Sequence, residues 1–319
     1  MVEKNPWIDN ILSSKKSQGY DCVVMYSGGK DSTYLLYLMK KVYQKKVIAV
    51  TVDNGFEDDF TWKKMGNALE VLDVPHEVIK PGTDNFKWMF NSMITEYELF
   101  KRENTNHICF ICHYVMNACA ARFAAENDIP FVISGLELSQ LNSGRVSELK
   151  IDGNANAIAE KSARIILKNA LSAFEKTKNY KNIPSFRDFI DKTLNIPKQV
   201  NTLFPFIYLD YNVKGVKDFL EQEIGWTPPV DKSKDEYYSS GCLLGNIFDV
   251  FERTGIIQIM ERSQVKQLIE HNGLDEKFSN MFDHYNKESY DLTNPLFDKL
   301  EIKEFMADHC RRKEVAFSV

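Results

Sequence analysis

The 319-residue chain lacks a long apolar run and has no excess of positive charge. No stretch approaches the roughly 18 consecutive apolar residues of a membrane helix, so we expect a soluble, cytoplasmic protein without a membrane partner. The net charge of -5 and the pI near 5.8 argue against a broad basic surface for a nucleic-acid backbone. A small-molecule substrate is therefore favoured, and a tRNA substrate stays open as the alternative.

A secretion signal, internal repeats and low-complexity tracts are also absent. Six cysteines without a signal sequence indicate reduced thiols, so closely spaced cysteines are better explained as metal ligands or as groups for sulfur chemistry. The length favours two domains. We predict a nucleotide domain at residues 1–200 and a helical substrate or partner region at 201–319.

A glycine pair surrounded by polar residues follows the apolar run 22–26, in the order Ser27-Gly28-Gly29-Lys30-Asp31-Ser32. Glycines let the backbone approach a ligand closely, and free N–H groups at the start of a helix attract an anion. The pattern predicts a pyrophosphate-binding turn between a buried strand and a helix. It is not the common P-loop motif, because Val24 and Asp31 stand where that motif needs glycine and Ser or Thr.

Apolar segments and helical patterns alternate through the first half of the chain. Predicted strands span 22–26, 47–52, 75–79 and 130–134, and predicted helices span 7–16, 33–43, 59–72, 109–125, 158–173 and 213–224. This order predicts an α/β fold, a doubly wound parallel sheet, with a mostly helical C-terminal part. Ligands of such sheets bind beyond the carboxyl ends of the strands, where Ser27, Asp53 and Gly135 fall.

The six residues Ser27 to Ser32 resemble the PP-loop of the N-type ATP pyrophosphatases, in the adenine nucleotide alpha-hydrolase-like superfamily with its Rossmann-like HUP domain. The resemblance implies ATP and Mg²⁺ as cofactors, cleavage of ATP between the α and β phosphates, and catalytic roles for Lys30 and Asp31. It further implies that Val52, Asp53 and Asn54 face adenine and ribose and that Ser134 and Gly135 border the nucleotide. A simple turn explains Asp53-Asn54-Gly55 equally well.

Three cysteines are the second candidate constellation. Cys109 and Cys112 lie at the start of a predicted helix, whose dipole would lower the pKa of both thiols. Cys242 follows Gly241, a residue small enough to let this third thiol approach the pair. A pair alone does not complete a tetrahedral metal site, so a metal centre, a persulfide or redox pair and a structural role all stay open.

The order of PP-loop, Cys-x-x-Cys and one distant Cys resembles the ATP-dependent sulfurtransferases that thiolate tRNA bases. That resemblance implies that Cys109, Cys112 and Cys242 act in catalysis and bind a four-iron four-sulfur cluster, with zinc as the other metal considered. It predicts that a substrate carbonyl oxygen is adenylated with release of pyrophosphate. Sulfur from a donor protein then replaces the oxygen, and AMP leaves. We also expect a homodimer.

Two other functions stay open. The segments Val52 to Phe56, Phe131 to Gly135 and Leu209 to Asn212, and the helix ending at Gly225-Trp226, resemble the amidating PP-loop proteins of lipopolysaccharide and surface-sugar biosynthesis. That resemblance implies a nucleotide-sugar substrate and ammonia from a separate glutaminase subunit. The third hypothesis is a nucleotide sensor without chemistry. It is motivated by the lack of the acidic residue expected shortly after Gly135, for which Glu137 is the nearest candidate.

Overall fold

The computed structural model describes residues 3–82, 84–136, 154–195, 197–227, 241–257 and 289–319, so Glu137 lies outside the described residues. The strands are β1 (Cys22–Met25), β2 (Val47–Val52), β3 (His76–Ile79), β4 (Phe131–Ile133), β5 (Asn201–Leu203), β6 (Tyr290–Asp291) and β7 (Phe317–Ser318). Strands β1 to β5 form one sheet in the order β3-β2-β1-β4-β5, and each pairing in it is parallel. The predicted parallel α/β sheet is confirmed.

The helices pack around this sheet and form most of the C-terminal part. They are α1 (Pro6–Ser13), α2 (Lys30–Tyr37), α3 (Asp59–Leu72), α4 (Asn85–Thr95), α5 (Tyr97–Arg102), α6 (Ile108–Glu126), α7 (Ala155–Phe174), α8 (Lys178–Asn182), α9 (Pro184–Leu194), α10 (Val213–Ile224), α11 (Phe248–Arg253), α12 (Pro295–Lys299) and α13 (Lys303–Arg312). Short 3-10 turns lie at Pro205–Ile207 and Leu243–Ile247.

Helices cover both faces of the sheet. Along β1, Cys22 and Val24 pack in the core cluster that includes α2, whereas Val23 and Met25 pack in the cluster that includes α6. Successive side chains of a strand point to opposite faces, so a strand covered on both sides is apolar at every position. This double covering explains why the sequence shows continuous apolar runs instead of an alternating pattern.

The strand order reverses beside β1, which pairs with β2 on one side and with β4 on the other. The connections from β1 to β2 and on to β3 run toward one edge of the sheet, and those to β4 and β5 run toward the other edge. At such a reversal a crevice opens at the carboxyl ends of the strands. Ser27 lies just beyond β1, and Ser134 lies just beyond β4. The fold therefore places the two predicted nucleotide-binding segments on opposite sides of one crevice.

We expected no segment long and apolar enough for a membrane helix, but α6, within the part of the chain that the structure describes, has that length and composition. It packs against β1, β2, β4 and α7. Its alanines Ala120, Ala121 and Ala124 are buried against the sheet. Small side chains let the helix lie close to the strands, so its apolar composition is that of a core helix.

The C-terminal region shares a core with the rest of the chain. Strand β5 pairs with β4 although it follows the predicted boundary at residue 200. One core cluster combines Phe100 and Phe174 with Phe251 and Phe297. The division at 200 stays a prediction about domains, but the sheet itself crosses that boundary.

Asn156 joins α7 to the segment around β5 and gives a test of this packing. Its Nδ2 donates to the Thr202 carbonyl at 3.0 Å, and its Oδ1 accepts from the Phe204 N–H at 2.8 Å. Asn156→Ala leaves both buried backbone groups without these partners, so we expect the free energy of unfolding to fall by about 2–4 kcal/mol. Urea unfolding followed by circular dichroism measures the change. The exposed Asn195→Ala is the control, and equal losses in the two variants would contradict the account.

Candidate active site

A cavity of about 320 Å³ opens at the crevice where the strand order reverses. Its walls come from β1 and the turn after it, from β2 and the following segment, from the first turns of α6, from the residues after β4, and from the segment around Leu244. Nine of the residues predicted for the site line it: Ser27, Asp31, Ser32, Val52, Asn54, Cys109, Cys112, Gly135 and Cys242. The fold therefore brings the glycine turn and the three cysteines to the same cavity.

Five predicted site residues lie outside the described cavity wall: Gly28, Gly29, Lys30, Asp53 and Ser134. The Asp53 side chain accepts from the Gly55 N–H at 2.8 Å, as expected of a simple turn. The Ser134 hydroxyl lies 3.0 Å from Nε2 of His113, which does line the cavity. Burial lowers the pKa of His113 to about 4, so this ring is neutral at physiological pH.

The glycine turn has a backbone that only glycine fits. Gly28 has φ of +75°, and a Cβ at this position would lie 2.7 Å from Cγ of Met65. The hydroxyls of Ser32 and Thr33 both donate to the Gly29 carbonyl, at 3.1 and 2.8 Å. These bonds fix the start of α2, whose free N–H groups and dipole favour an anion.

Positive charge at the cavity has to come largely from the backbone, because none of its described lining residues is a lysine or arginine. Lys30 is 4% exposed, and its ammonium donates to Asp31 Oδ1 at 2.7 Å and to the Tyr211 hydroxyl at 2.8 Å. Asp31, unlike Lys30, lines the cavity. The catalytic role of Lys30 on phosphate stays a prediction, and in this structure its ammonium binds a protein carboxylate.

Two residues of the C-terminal half contact the glycine turn. Tyr211 binds both Lys30 and Asp31, and the indole N–H of Trp226 donates to the Gly28 carbonyl at 3.1 Å. In the sequence both residues belong only to segments that carry a family resemblance, and neither has a predicted role at the site. Their separation from the turn, 181 and 198 positions for the bonds to Lys30 and Gly28, explains why no local pattern reveals the contact.

Cys242 reaches the cavity through a short antiparallel pairing with the segment after β2. The Asp58 N–H donates to the Gly241 carbonyl at 3.1 Å, and the Leu243 N–H donates to the Phe56 carbonyl at 2.7 Å. A Cβ at Gly241 would lie 1.7 Å from Oγ1 of Thr61. The structure thus brings Cys242 to the cavity that Cys109 and Cys112 also line, and the part of its flanking glycine in this approach stays a prediction.

The expectation that the helix dipole lowers the thiol pKa values is wrong. Desolvation raises the pKa of Cys242 to about 12, and the protein around Cys109, a residue with an exposed surface, raises the pKa of that thiol to about 12 as well. Burial also raises the pKa of Cys112 well above its ordinary value, and the other two cysteines and Glu57 raise it further. Removal of water therefore outweighs the dipole, and the metal-free protein holds these groups as neutral thiols at pH 7.

Two polar groups that sequence reasoning did not connect to the cysteines lie beside them. The Asn54 side chain lowers the pKa of both Cys112 and Cys242, against the larger effect of burial. Glu57 pairs with Cys242 across the short bridge and lines the cavity, and its Oε2 is buried without a hydrogen-bond partner among the described residues. Glu57 lies opposite Cys242 in this bridge, a pairing that the local sequence does not reveal.

The thiols of Cys109, Cys112 and Cys242 are suitable ligands for a metal, but the three side chains are not arranged as a metal site. Thiolates suit zinc and iron–sulfur centres. However, no group of three or more His, Cys, Asp or Glu side chains within the described ranges has the arrangement of a metal site. The four-iron four-sulfur cluster and the zinc ion therefore stay predictions.

A glycine turn at the switch point of a parallel sheet, with α2 starting directly behind it, is an arrangement suited to binding the phosphates of a nucleotide. Residues 21–143, which contain this turn and the Cys-x-x-Cys pair, match the family model described as queuosine biosynthesis protein QueC. The match spans less than half of the chain. It confirms the predicted resemblance to the PP-loop ATP pyrophosphatases, an ATP-binding class, for this part of the protein.

No curated protein sequence matches the chain. Among solved structures, an NH3-dependent NAD synthetase from Campylobacter jejuni is similar, with 16% sequence identity and a TM-score of 0.31. The similarity covers 59% of this chain and 89% of that chain.

Glu57→Gln should change how stability depends on pH. Burial, reinforced by Asp58 and Asp53, raises the pKa of Glu57 from 4.5 to about 7, so the folded protein binds this proton more tightly than the unfolded chain does. The contribution of Glu57 to the free energy of unfolding therefore falls as pH rises from about 4.5 to 7. Relative to wild type, we expect Glu57→Gln to gain on the order of 2 kcal/mol between pH 5 and pH 8.

Urea unfolding of the metal-free, nucleotide-free protein at the two pH values measures this difference. Glu70→Gln, at an exposed position on α3, is the matched control and should show no such gain. A difference between Glu57→Gln and wild type that is the same at pH 5 and pH 8 would contradict the burial of this carboxylate.

Proposed function

We propose that this protein is an ATP pyrophosphatase that adenylates a carbonyl oxygen of its substrate and then replaces that oxygen with sulfur. The observation that supports it is one cavity that holds both the PP-loop residues Ser27, Asp31 and Ser32 and the cysteines Cys109, Cys112 and Cys242. Three segments far apart in the chain meet there. A structural role would not require the thiols to face a nucleotide site.

The first step uses the glycine turn. Backbone N–H groups at the start of α2 bind the phosphates, and Gly28 keeps the backbone free of a side chain there. The Asp31 carboxylate lines the cavity and is a ligand of the type that Mg²⁺ prefers. When bound with the nucleotide, Mg²⁺ supplies positive charge to the phosphate oxygens. The substrate oxygen attacks the α-phosphorus, pyrophosphate leaves, and the substrate carries AMP.

The second step takes place beside the cysteines. A hydrosulfide ion made available by the donor protein attacks the activated carbon and forms a C–S bond. The C–O bond to the adenylate then breaks, AMP leaves with the oxygen, and the proton on sulfur is released. Apolar side chains of Phe90, Ile108, Phe110 and Phe248 line the same cavity and limit the access of water that would hydrolyse the adenylate. Asn54 lines the cavity together with Cys112 and Cys242 and presents a polar side chain to both thiols.

The substrate and the partners are part of the proposal. A cavity of about 320 Å³ is the size of a small-ligand pocket, and the acidic composition of the chain favours a small molecule over tRNA. A sulfur-donor protein and a homodimer complete this proposal.

Ammonia-dependent amidation is the second candidate, and Glu57 is the observation that favours it. Its buried Oε2 lacks a hydrogen-bond partner within the described part of the chain, and the residue lines the cavity. A carboxylate in this position can bind an ammonium ion and accept its proton, which yields the ammonia that attacks the adenylate. The substrate is then a nucleotide sugar, and a glutaminase subunit supplies the ammonia.

Labelled nucleophiles distinguish the two reactions. Protein purified without oxygen is incubated with ATP, Mg²⁺ and either ³⁵S-sulfide or ¹⁵N-ammonium, together with a small-molecule extract or with bulk tRNA. We expect AMP and pyrophosphate to form with sulfide, and ³⁵S to enter a product. Cys109→Ala and Cys242→Ala should lower the incorporation of ³⁵S at least about 100-fold, the size of effect expected when a group needed in the reaction is removed.

Cys119→Ala is the matched control, because Cys119 lies on α6 but outside the cavity wall, and it should retain activity. ¹⁵N in the product together with full activity of the cysteine variants would overturn sulfur transfer and support amidation. Formation of ADP and phosphate instead of AMP and pyrophosphate would overturn both.

A further inference from the structure

Two residues outside the described cavity wall, Lys30 and Tyr211, donate hydrogen bonds to the Asp31 carboxylate. Lys30 Nζ donates to Asp31 Oδ1 at 2.7 Å, and the Tyr211 hydroxyl donates to the same oxygen. The second carboxylate oxygen, Oδ2, takes no part in these two bonds. Since Asp31 lines the cavity while Lys30 and Tyr211 lie outside the described wall, the contacts hold the carboxylate from the protein side.

Tyr211 is itself fixed by packing. Its ring lies 4.6 Å from the ring of Phe206, and Phe206 is stacked on Tyr34 at 6.3 Å between ring centroids. The Lys30 ammonium lies 5.6 Å from the Tyr211 ring centre and 2.8 Å from the Tyr211 hydroxyl. Tyr34 belongs to α2, the helix that carries Asp31. Lys30, Asp31 and Tyr211 therefore lie between α2 and the segment after β5, where packed aromatic rings fix their positions.

The position of the Lys30 ammonium indicates whether this lysine acts on phosphate or on Asp31. A lysine that bound phosphate directly would have its ammonium at the cavity, but Lys30 is 4% exposed and is committed to Asp31 and Tyr211. Charge-assisted hydrogen bonds of this kind are among the strongest that orient a carboxylate. Their combined effect is to hold the Asp31 carboxylate in one orientation before a ligand arrives.

We propose that Tyr211 is a positioning residue that, together with Lys30, orients the Asp31 carboxylate to receive the Mg²⁺ that enters with the nucleotide. This inference rests on the proposed function, because it assumes that the cavity binds ATP. Tyr211 thereby makes the segment after β5 part of the nucleotide site. Preorganisation of a ligand carboxylate increases affinity for the metal-bound nucleotide and leaves affinity for the metal-free nucleotide nearly unchanged.

Calorimetric titration with α,β-methylene-ATP, an analogue that cannot be cleaved between the α and β phosphates, tests this without turnover. Each protein is titrated once with MgCl2 and once with EDTA. For Tyr211→Phe, which keeps the ring but loses the hydroxyl, we expect the Kd with Mg²⁺ to rise about tenfold, and the Kd with EDTA to change less than about twofold. Tyr37→Phe also loses a tyrosine hydroxyl, at the last residue of α2, where the ring packs against Phe219, and it should match wild type in both conditions.

Lys30→Gln provides a second variant with the same expected pattern, should Tyr211→Phe fail to fold. An equal loss with MgCl2 and with EDTA would overturn the inference and show that Lys30 and Tyr211 act on the phosphates directly. Tighter binding in Tyr211→Phe would also overturn it, because Tyr211 would then be blocking the site. Wild-type protein that binds the analogue in neither condition would contradict the proposed function itself.

Discussion

Gly28 holds a backbone conformation, φ of +75°, that other residues adopt only with strain, and the cavity is built around the turn that it makes. The space beside this glycine is filled by Met65 of α3, and its carbonyl accepts a hydrogen bond from Trp226. A side chain at this position would collide with Met65 and push α3 away from the turn. The conformation of the turn and its close packing against α3 therefore depend on one small residue.

A second glycine, Gly241, also allows close packing that a side chain would prevent. It lets its own segment pair with residues 56–58. That pairing brings Cys242 and Glu57 to the cavity, and Tyr211 and Trp226 complete the turn from the other side. The part of the chain that matches the QueC family model ends at residue 143, before three of these four residues. The environment of the nucleotide site is thus set by residues that a local motif does not contain.

Elements with strong local signals could be predicted from the sequence. The bounds expected for β2, α3 and α10 agree with the structure, Val47–Val52, Asp59–Leu72 and Val213–Ile224. Helix α2 starts at Lys30 instead of residue 33, because polar PP-loop residues already form its first turn, and a π-helical turn continues it over Leu38–Val42. Strand β5 was missed, since three residues show no periodicity. The roles of Glu57 and Tyr211 come from tertiary contacts, and the thiol pKa values depend on burial, which helix position alone does not reveal.

A crystal structure of the protein with α,β-methylene-ATP and Mg²⁺ tests the central claim most directly. The account predicts that the triphosphate binds to the backbone N–H groups of residues 27–32, that Mg²⁺ contacts Asp31, and that the α-phosphate faces the part of the cavity lined by Cys109, Cys112 and Cys242. A nucleotide bound elsewhere, or one whose α-phosphate faces away from the cysteines, would contradict the assignment of one cavity to both steps of the reaction.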